Sequence, residues 1–328
     1  MSILSRTLFL AVLTTALMAG AAAPAAAAEP TRKIALGVSM EAGLSATSGD
    51  DLAAVDAFAN SVGRAPAIWS IWSDWGGANG PFPNTTLLNG LRDRGVTPMI
   101  MWQPIGPGYE DGKYKLATII RGKHDAYITQ YSQAAKAWGG TVLLRFAHEM
   151  NGYWFPWGID QFNNTPAKFQ KAWRHVWGIF DAVGAKNVKF VWSPMKPCGG
   201  CASYSSVYPG DMYVKFASFS AFNWGEPQRW KSMLKVFTPA MKALALVTRK
   251  KVIVGETASY RDDGDKAAWI REGYPAAYDA FPKLKGIVYF NLDMRFANQP
   301  NWLLTDPAGA LDAYGDTVAK AKFQGAIR

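Results

Sequence analysis

Short runs of apolar residues recur along the chain after residue 30, and longer segments with apolar residues at helical spacing separate them. The helical pattern is clearest over Asp125–Trp138, Thr165–Val183 and Trp230–Val247. Thr165-Pro166 has the form of an N-cap followed by proline at the first helical position. Several short runs are apolar with little alternation, which is typical of parallel strands covered on both faces. The predicted strands are Ile34–Ser39, Ala67–Ser73, Thr97–Gln103, Thr141–Phe146, Val188–Ser193, Tyr213–Ser220, Lys251–Glu256 and Gly286–Asn291.

The order of these elements predicts the fold class. Eight strands that alternate with helices favour a closed (β/α)8 TIM barrel over an open doubly wound sheet. The chain has 328 residues. That length could hold two average domains, but barrels of this kind often extend over about 250 residues as one domain. Since we find no linker, low-complexity tract or internal repeat after residue 30, we predict an α/β protein with a single barrel domain over residues 29–328.

The N-terminus has the pattern of a secretory signal peptide over residues 1–28. Arg6 precedes an almost entirely apolar stretch from Leu8 to Ala22, and Ala26-Ala27-Ala28 supplies small residues before the predicted cleavage site. A membrane anchor is the alternative, although the apolar stretch is shorter than the ~20 residues that span a bilayer. We predict cleavage after Ala28, a secreted or periplasmic protein, and no membrane association after cleavage.

The chain carries a formal net charge of +10. Such a charge suits nucleic acid, an anionic glycan or a negatively charged cell surface. The basic residues are dispersed, and the longest run is Arg249-Lys250-Lys251. Together with the predicted export, this argues against a nucleic-acid partner and leaves adhesion to an anionic envelope or exopolysaccharide open. With no heptad or long exposed apolar helix in the pattern, we expect a monomer.

The two cysteines, Cys198 and Cys201, lie in a glycine-rich segment. Export favours a local disulfide between them. A redox role usually places a CxxC pair at a helix N-terminus, and a structural zinc site needs about four ligands where this segment offers no histidine. Both remain weaker alternatives, and we expect no metal.

Candidate chemistry lies where two predicted strands end. Arg145-Phe146-Ala147-His148-Glu149-Met150-Asn151-Gly152 follows one apolar run, and Glu256 closes another. In a barrel of this kind, reactive residues belong at the C-terminal ends of strands. Two carboxylates there are the requirement for glycosidic bond hydrolysis, one as proton donor and one as nucleophile or base. The sequence therefore predicts an enzyme that acts on a polysaccharide.

The predicted strand ends are also rich in aromatic residues, and the chain contains 14 tryptophans. Aromatic rings stack on the C–H faces of sugars, although core packing is the alternative for each of them. Trp154 and Trp157 are the stronger candidates because they lie in the loop beside Glu149. The predicted sugar-binding residues are His148, Trp154, Trp157, Trp224, Trp75, Trp102 and Tyr289.

Several segments make the chain resemble glycoside hydrolase family 26, the β-mannanase family within a retaining clan of (β/α)8 barrels. The resemblance is dense from about residue 95 to residue 304 and thin before that. The matching segments are Leu144–Gly158, Ala172–Val176, Gly184–Pro194, Tyr208–Asp211, Phe222–Gly225 and Gly255–Thr257.

The resemblance implies a role for each matching residue. Glu149 would be the acid/base and Glu256 the nucleophile, and Arg145 would support Glu256 from beneath. His148 would contact the sugar or orient the pair, and Asn151 belongs to the supporting set. The resemblance implies no metal and no organic cofactor.

Three positions depart from the family pattern. Phe222 stands where a tyrosine is expected to donate a hydrogen bond to the nucleophile, which removes an interaction worth about 1.5–3 kcal/mol in general. Gln103 and Met195 replace an expected Glu and Asn. These changes reshape the rim while both glutamates remain, so they bear on the substrate more than on the chemistry.

The leading hypothesis is a retaining endo-β-glycanase that acts on β-1,4-mannan. One alternative keeps the chemistry and changes the polymer to mixed-linkage β-glucan, β-1,3-xylan or an exopolysaccharide. The other is a non-catalytic carbohydrate-binding barrel, which only Phe222 favours.

Overall fold

The computed structural model describes residues 32–41, 50–76, 82–106, 112–224, 230–260 and 264–327. The predicted signal peptide, residues 1–28, lies outside these ranges. Eight strands follow one another along the chain: β1 (Ala35–Met40), β2 (Ile68–Asp74), β3 (Thr97–Gln103), β4 (Val142–Phe146), β5 (Val188–Trp192), β6 (Phe216–Ser220), β7 (Val252–Thr257) and β8 (Leu284–Asn291).

Helices connect the strands and surround them. They are α1 (Asp50–Val62), α2 (Thr85–Asp93), α3 (Leu116–Ile120), α4 (Asp125–Trp138), α5 (Pro166–Val183), α6 (Tyr204–Val207), α7 (Met233–Val247), α8 (Lys266–Ala280) and α9 (Ala310–Val318). Short 3₁₀ helices occupy Gly112–Tyr114, Gln161–Asn163, Asp211–Tyr213, Arg295–Ala297 and Ala321–Phe323. Within the described ranges, no helix is both long enough and apolar enough to cross a membrane.

The strands form one closed parallel barrel in the order β1 to β8, with β8 paired to β1. The predicted TIM barrel is therefore confirmed. Since all strands run the same way, their C-terminal ends meet at one mouth of the barrel, where the loops that carry the candidate residues begin.

Two apolar layers stabilise the barrel. The larger lies between the strands and the surrounding helices, and the smaller fills the interior with side chains such as Ile68, Met99, Met101 and Leu143. Alternate residues of each strand point into one layer or the other. This alternation decides which side chains at the strand ends reach the mouth.

Gly37 of β1 marks a close approach between strands, because a Cβ atom there would lie 2.6 Å from Ile68 Cβ and 2.7 Å from Ile68 O. We expect Gly37→Ala to lower the free energy of unfolding by about 1–3 kcal/mol, since the added methyl must displace backbone. Urea denaturation measures this. Gly178→Ala in α5 is the matched control, because no atom lies within 4 Å of the added methyl. Equal stability of the two variants would contradict the steric argument.

The predicted element boundaries agree closely with the structure. Asp125–Trp138 coincides with α4, and Thr165 caps α5 by accepting a hydrogen bond from Lys168 N. The start of β6 was placed too early, since Asp211–Tyr213 forms a 3₁₀ turn and the strand begins only at Phe216.

Candidate active site

A cavity of about 410 Å³ opens at the C-terminal ends of the strands. Both candidate glutamates, Glu149 and Glu256, line it. The remaining lining residues are Trp72, His148, Trp154, Phe155, Met195, Phe222, Trp224, Phe290, Met294, Gln299 and Trp302. The site therefore combines two carboxylates and an imidazole with a largely aromatic wall.

A tight turn after β4 presents Glu149. Ala147 and Glu149 both adopt left-handed backbone conformations, with φ of 44° and 54°. Such conformations are costly for residues with a Cβ atom and persist where the surroundings fix them. Here Ala147 N donates to Trp102 O and Glu149 N donates to Ser193 O, at 3.1 and 2.7 Å. The turn is thus held by the ends of β3 and β5.

Arg145 is fully buried beneath the cavity and pairs with the carboxylate of Glu256. Its Nη1 lies 3.0 Å from Glu256 Oε2. Its Nη2 donates to Ser220 Oγ at 2.6 Å, and Nε donates to Ser193 Oγ at 2.8 Å. Ser220 Oγ in turn donates to Glu256 Oε2 at 3.2 Å. One carboxylate oxygen is therefore contacted by both a guanidinium and a hydroxyl.

The second oxygen of this carboxylate is buried and has no hydrogen-bond partner in the described part of the chain. Glu256 is 4% exposed, and its Oε1 accepts no hydrogen bond from any described residue. The arginine thus fixes the orientation of the side chain without occupying both of its oxygens.

Gly255 explains how a large guanidinium fits under the site. A Cβ atom at this position would lie 2.8 Å from Arg145 Nε and 2.7 Å from Ser218 Oγ. Any side chain would therefore collide with the arginine that pairs with the adjacent Glu256. Glycine at position 255 therefore leaves room for Arg145, and the glutamate that follows pairs with this arginine.

Glu149 has an environment that favours its protonated form. Burial raises its pKa, and the negative charge of Glu256 raises it further. The nearby Ser220 hydroxyl, the charge of Arg145 and a hydrogen bond from Trp154 oppose this rise only in part. Trp154 Nε1 donates to Glu149 Oε2 at 2.8 Å. The two carboxyl groups therefore have different environments. Glu256 is paired with Arg145, whereas the surroundings of Glu149 favour its protonated form.

Gly152 allows this hydrogen bond to form within a single loop. A Cβ atom at position 152 would lie 2.3 Å from the Trp154 ring. The indole folds back over this glycine, and its side chain is still 41% exposed at the rim of the cavity. One side chain therefore serves both as an aromatic surface and as a donor to Glu149.

His148 is buried among aromatic rings next to the acid. Its ring centroid lies 4.8 Å from that of Phe155 and 5.7 Å from that of Trp157. Burial lowers its pKa well below the usual value, and the charge of Arg145 lowers it further, so the imidazole is neutral. Its Nδ1 has no hydrogen-bond partner among the described residues and lies on a side chain that lines the cavity.

Asn151 supports the site through the backbone of a neighbouring loop. Its Nδ2 donates to Met195 O at 3.0 Å, and its Oδ1 accepts from Met195 N at 2.8 Å. The amide therefore fixes the segment after β5, whose Met195 lines the cavity.

Four of the predicted sugar-binding residues do not reach the cavity, and the structure corrects their assignment. Trp102, Trp157 and Tyr289 are fully buried, and Trp75 is 5% exposed. Trp75 and Trp102 pack against each other in the layer between strands and helices. Trp157 Nε1 donates to His148 O, and Tyr289 Oη donates to Trp302 O. These side chains pack behind the residues that line the cavity and are not exposed to it.

The three departures from the expected pattern lie at or beneath the rim. Phe222 and Met195 line the cavity, and the Phe222 ring packs against Phe290, Trp224 and Trp302. Gln103 is buried and donates from Nε2 to Asp74 Oδ1 at 2.8 Å. An apolar wall thus occupies the position where a hydroxyl was expected.

Several lining residues were missed in the sequence, among them Trp72, Phe155, Phe290 and Trp302. Ser193 and Ser220, whose hydroxyls accept hydrogen bonds from Arg145, were missed as well. Strand parity was a usable signal for some of them, because Trp72 and Phe290 have the same parity as the interior residues Ile68 of β2 and Val288 of β8. No motif signals the serines.

Cys198 and Cys201 form a disulfide in the loop after β5, in agreement with the expected pairing. No group of three or more His, Cys, Asp and Glu side chains within the described ranges is arranged to hold a metal ion.

Comparison with known proteins places this geometry in context. Residues 110–272 match the sequence model of glycosyl hydrolase family 26. The chain is 37% identical over 227 residues to Endoglucanase H of Acetivibrio thermocellus, covering 67% of this chain and 24% of that protein. It is 24% identical over 195 residues to a mannan endo-1,4-beta-mannosidase of Bacillus subtilis, covering 50% and 52%. The chain thus spans about a quarter and about half of the lengths of these relatives.

Solved structures share the fold at low sequence identity. A family 26 β-mannanase from Bacteroides ovatus has a TM-score of 0.65 with 15% identity, and the match covers 90% of this chain and 91% of that one. This similarity extends over the whole barrel, beyond the part that the family sequence model matches.

Proposed function

Because the chain belongs to glycosyl hydrolase family 26, we propose that it is a retaining endo-β-glycanase with Glu149 as acid/base and Glu256 as nucleophile. The observation that carries the proposal is the unequal pair of carboxyl groups in one aromatic cavity. Glu256 is paired with the buried Arg145 at 3.0 Å, and burial and the neighbouring charge raise the pKa of Glu149. This division is the one that glycoside hydrolysis by two carboxylates requires.

A shared hydroxyl supports retention over inversion. Ser220 Oγ donates its single proton to Glu256 at 3.2 Å, and the same hydroxyl lies near enough to Glu149 to influence its pKa. Two carboxyl groups that both approach one hydroxyl are close together, which favours the ~5–5.5 Å separation of retaining enzymes over the ~6.5–9.5 Å of inverting ones.

In the first step of the proposed mechanism, the carboxylate of Glu256 attacks the anomeric carbon. The bond from that carbon to the glycosidic oxygen breaks, and Glu149 transfers its proton to the departing oxygen. In the second step, Glu149, now ionised, removes a proton from a water molecule that attacks the same carbon and releases Glu256. The neutral His148 and the exposed face of Trp154 orient the sugar without changing the charge balance.

For the polymer, we propose a β-glucan first and β-1,4-mannan second. The relative named Endoglucanase H is 37% identical to this chain over 227 residues, and the relative named mannan endo-1,4-beta-mannosidase is 24% identical over 195. Phe222 and Met195, which make the rim more apolar than expected, also favour a polymer other than mannan. The predicted signal peptide supports export, so we propose that the reaction takes place outside the cytoplasm.

The test uses the protein from Glu29 onward with mixed-linkage β-glucan, β-1,4-mannan, β-1,3-xylan and an acidic exopolysaccharide. New reducing ends report cleavage, product lengths report endo action, and NMR of the first anomer released reports retention. We expect glucan cleavage with a β-configured first product. An α-configured first product would overturn the retaining assignment, and mannan as the preferred polymer would favour the second candidate. The absence of cleavage on every polymer would favour a carbohydrate-binding role.

Trp154→Phe tests the proton donor. Removing the indole N–H takes away a hydrogen bond that favours the ionised form, so the pKa of Glu149 should rise further. A higher pKa keeps the acid protonated to higher pH, and the alkaline limb of the pH profile of kcat/KM should therefore move upwards. Trp224→Phe is the matched control, since Trp224 is also 41% exposed and lines the cavity. An unmoved limb, or one that moves downwards, would contradict the role of Trp154.

A further inference from the structure

A group of basic residues lies at the end of the barrel opposite the candidate active site. Basic residues lie immediately before, or at the start of, four consecutive strands. They are Lys186 and Lys189 at β5, Lys215 at β6, Arg249, Lys250 and Lys251 at β7, and Lys283 and Lys285 at β8. The sequence disperses these residues over about a hundred positions, and the closed barrel collects them on one face.

Two clefts cut into this face, and Lys250 lines both of them. The first has a volume of about 250 Å³ and carries the amines of Lys186, Lys189, Lys215 and Lys250. The second has a volume of about 330 Å³, carries Lys242, Lys250 and Lys283, and is otherwise mostly apolar. We refer to the two clefts together as the basic groove.

Acidic residues compensate only part of this charge. Asp181 lines the first cleft and is paired with Lys186. Asp211 lies nearby and accepts hydrogen bonds from Tyr208 and Thr248, and the charge of Lys250 helps to lower its pKa. Within the described part of the chain, Lys189, Lys215 and Lys250 form no ion pair with a carboxylate.

The amines also act on one another. Burial lowers the pKa of Lys189, and the charge of Lys215 lowers it further. An anion in the cleft would therefore relieve a repulsion that the folded protein itself maintains.

An aromatic surface accompanies the amines. Trp177 lines the first cleft, remains partly exposed, and is held edge-on by the Tyr213 ring with the centroids 5.1 Å apart. Met212 lies on the same cleft and is 74% exposed. An indole beside several ammonium groups offers a flat apolar surface and fixed positive charges within one cleft.

We propose that the basic groove binds an acidic polysaccharide, a chain of sugars that carry carboxylates, at a site separate from the candidate active site. The ammonium groups pair with the carboxylates, and the indole contacts the C–H face of a sugar ring. The two clefts share Lys250, so one continuous chain can occupy both. Because the cations line concave clefts, they suit a flexible chain better than the flat surface of a lipid bilayer.

The experiment measures binding of polygalacturonate to the protein from Glu29 onward by affinity electrophoresis over a range of salt concentrations. The groove variant is Lys189→Glu/Lys215→Glu. The control variant is Lys171→Glu/Lys235→Glu, which alters two exposed lysines near the N-terminal ends of α5 and α7, at the catalytic end of the barrel. Both variants change the net charge equally, and thermal unfolding confirms that each is folded.

We expect the groove variant to bind polygalacturonate at least about tenfold more weakly, and the control variant to lose much less, because only the groove places its charges in direct contact with the polymer. Equal losses in both variants would show attraction by net charge alone and would overturn the proposal. Stronger binding of inorganic polyphosphate, a single-stranded oligonucleotide or phosphatidylglycerol vesicles than of polygalacturonate would also overturn it. Unchanged affinity for polygalacturonate in a Trp177→Leu variant would show that the indole makes no useful contact with the sugar, contrary to the proposal.

Discussion

Glu256→Gln is expected to lower kcat on the preferred polymer by on the order of 10⁴-fold or more, the scale seen when a covalent nucleophile is removed. An amide oxygen is a poor nucleophile, and among the described residues the cavity holds no other carboxylate except Glu149, whose proposed task is proton transfer. Since the amide has nearly the same shape as the carboxylate, the fold should be retained. Reducing-end assays and single-turnover kinetics measure the loss.

Glu149→Gln separates the two roles. This variant should also be nearly inactive on the polymer, because the departing sugar oxygen receives no proton. An aryl β-oligoglycoside with an acidic phenol needs no such help, so its first step should remain fast in Glu149→Gln and stay lost in Glu256→Gln. Glu272→Gln on α8 is the control, since this glutamate is exposed and distant from the cavity. Equal behaviour of the two site variants on the aryl substrate would contradict the assignment.

Arg145→Met is expected to have the largest effect on stability. It removes the only cation paired with Glu256 among the described residues and leaves a buried carboxylate uncompensated. Breaking a buried ion pair from one side costs about 3–5 kcal/mol. Ser193 and Ser220 also lose their guanidinium partner. Urea denaturation measures the change in the free energy of unfolding.

The double variant Arg145→Met/Glu256→Gln tests the cause of that loss. If the cost comes from the unpaired charge, neutralising Glu256 should restore a large part of the stability, as a double-mutant cycle would report. Arg145→Lys should be intermediate, because a single ammonium cannot donate to both serines and the carboxylate with the geometry of a guanidinium. A double variant no more stable than Arg145→Met would indicate that lost packing, and not charge, dominates.

The alternation of side chains along the strands explains which residues at the strand ends line the cavity. In β2, Ile68 faces the barrel interior, and Trp72 has the same parity and lines the cavity. Trp75 has the opposite parity and packs under the helices. In β8, Phe290 lines the cavity whereas its neighbour Tyr289 does not. An aromatic-rich composition at the strand ends therefore identifies the rim of the cavity. Which side of the strand each ring occupies follows from whether it shares parity with the interior residues.

The hydrogen-bond network around Glu256 could not be predicted from the sequence pattern, because it depends on the register between two strands. The pairing of β6 with β7 shifts after Phe219 and Val254, so that Ser220 lies opposite Glu256 instead of opposite Gly255. Without this irregularity the serine hydroxyl would not be aligned with the carboxylate. The fold itself was more predictable, because apolar runs separated by helical segments extend over the whole barrel and tolerate errors of a few residues at each boundary.

The position of Trp154 has a thermodynamic consequence. The same indole forms part of the cavity rim and donates the hydrogen bond that stabilises the ionised form of Glu149. A sugar that turns the indole away from this carboxylate therefore increases the affinity of Glu149 for a proton, and by reciprocity the proton increases the affinity for that sugar. Binding of the ligand and protonation of Glu149 are therefore coupled. The affinity for such a ligand should fall as the pH rises.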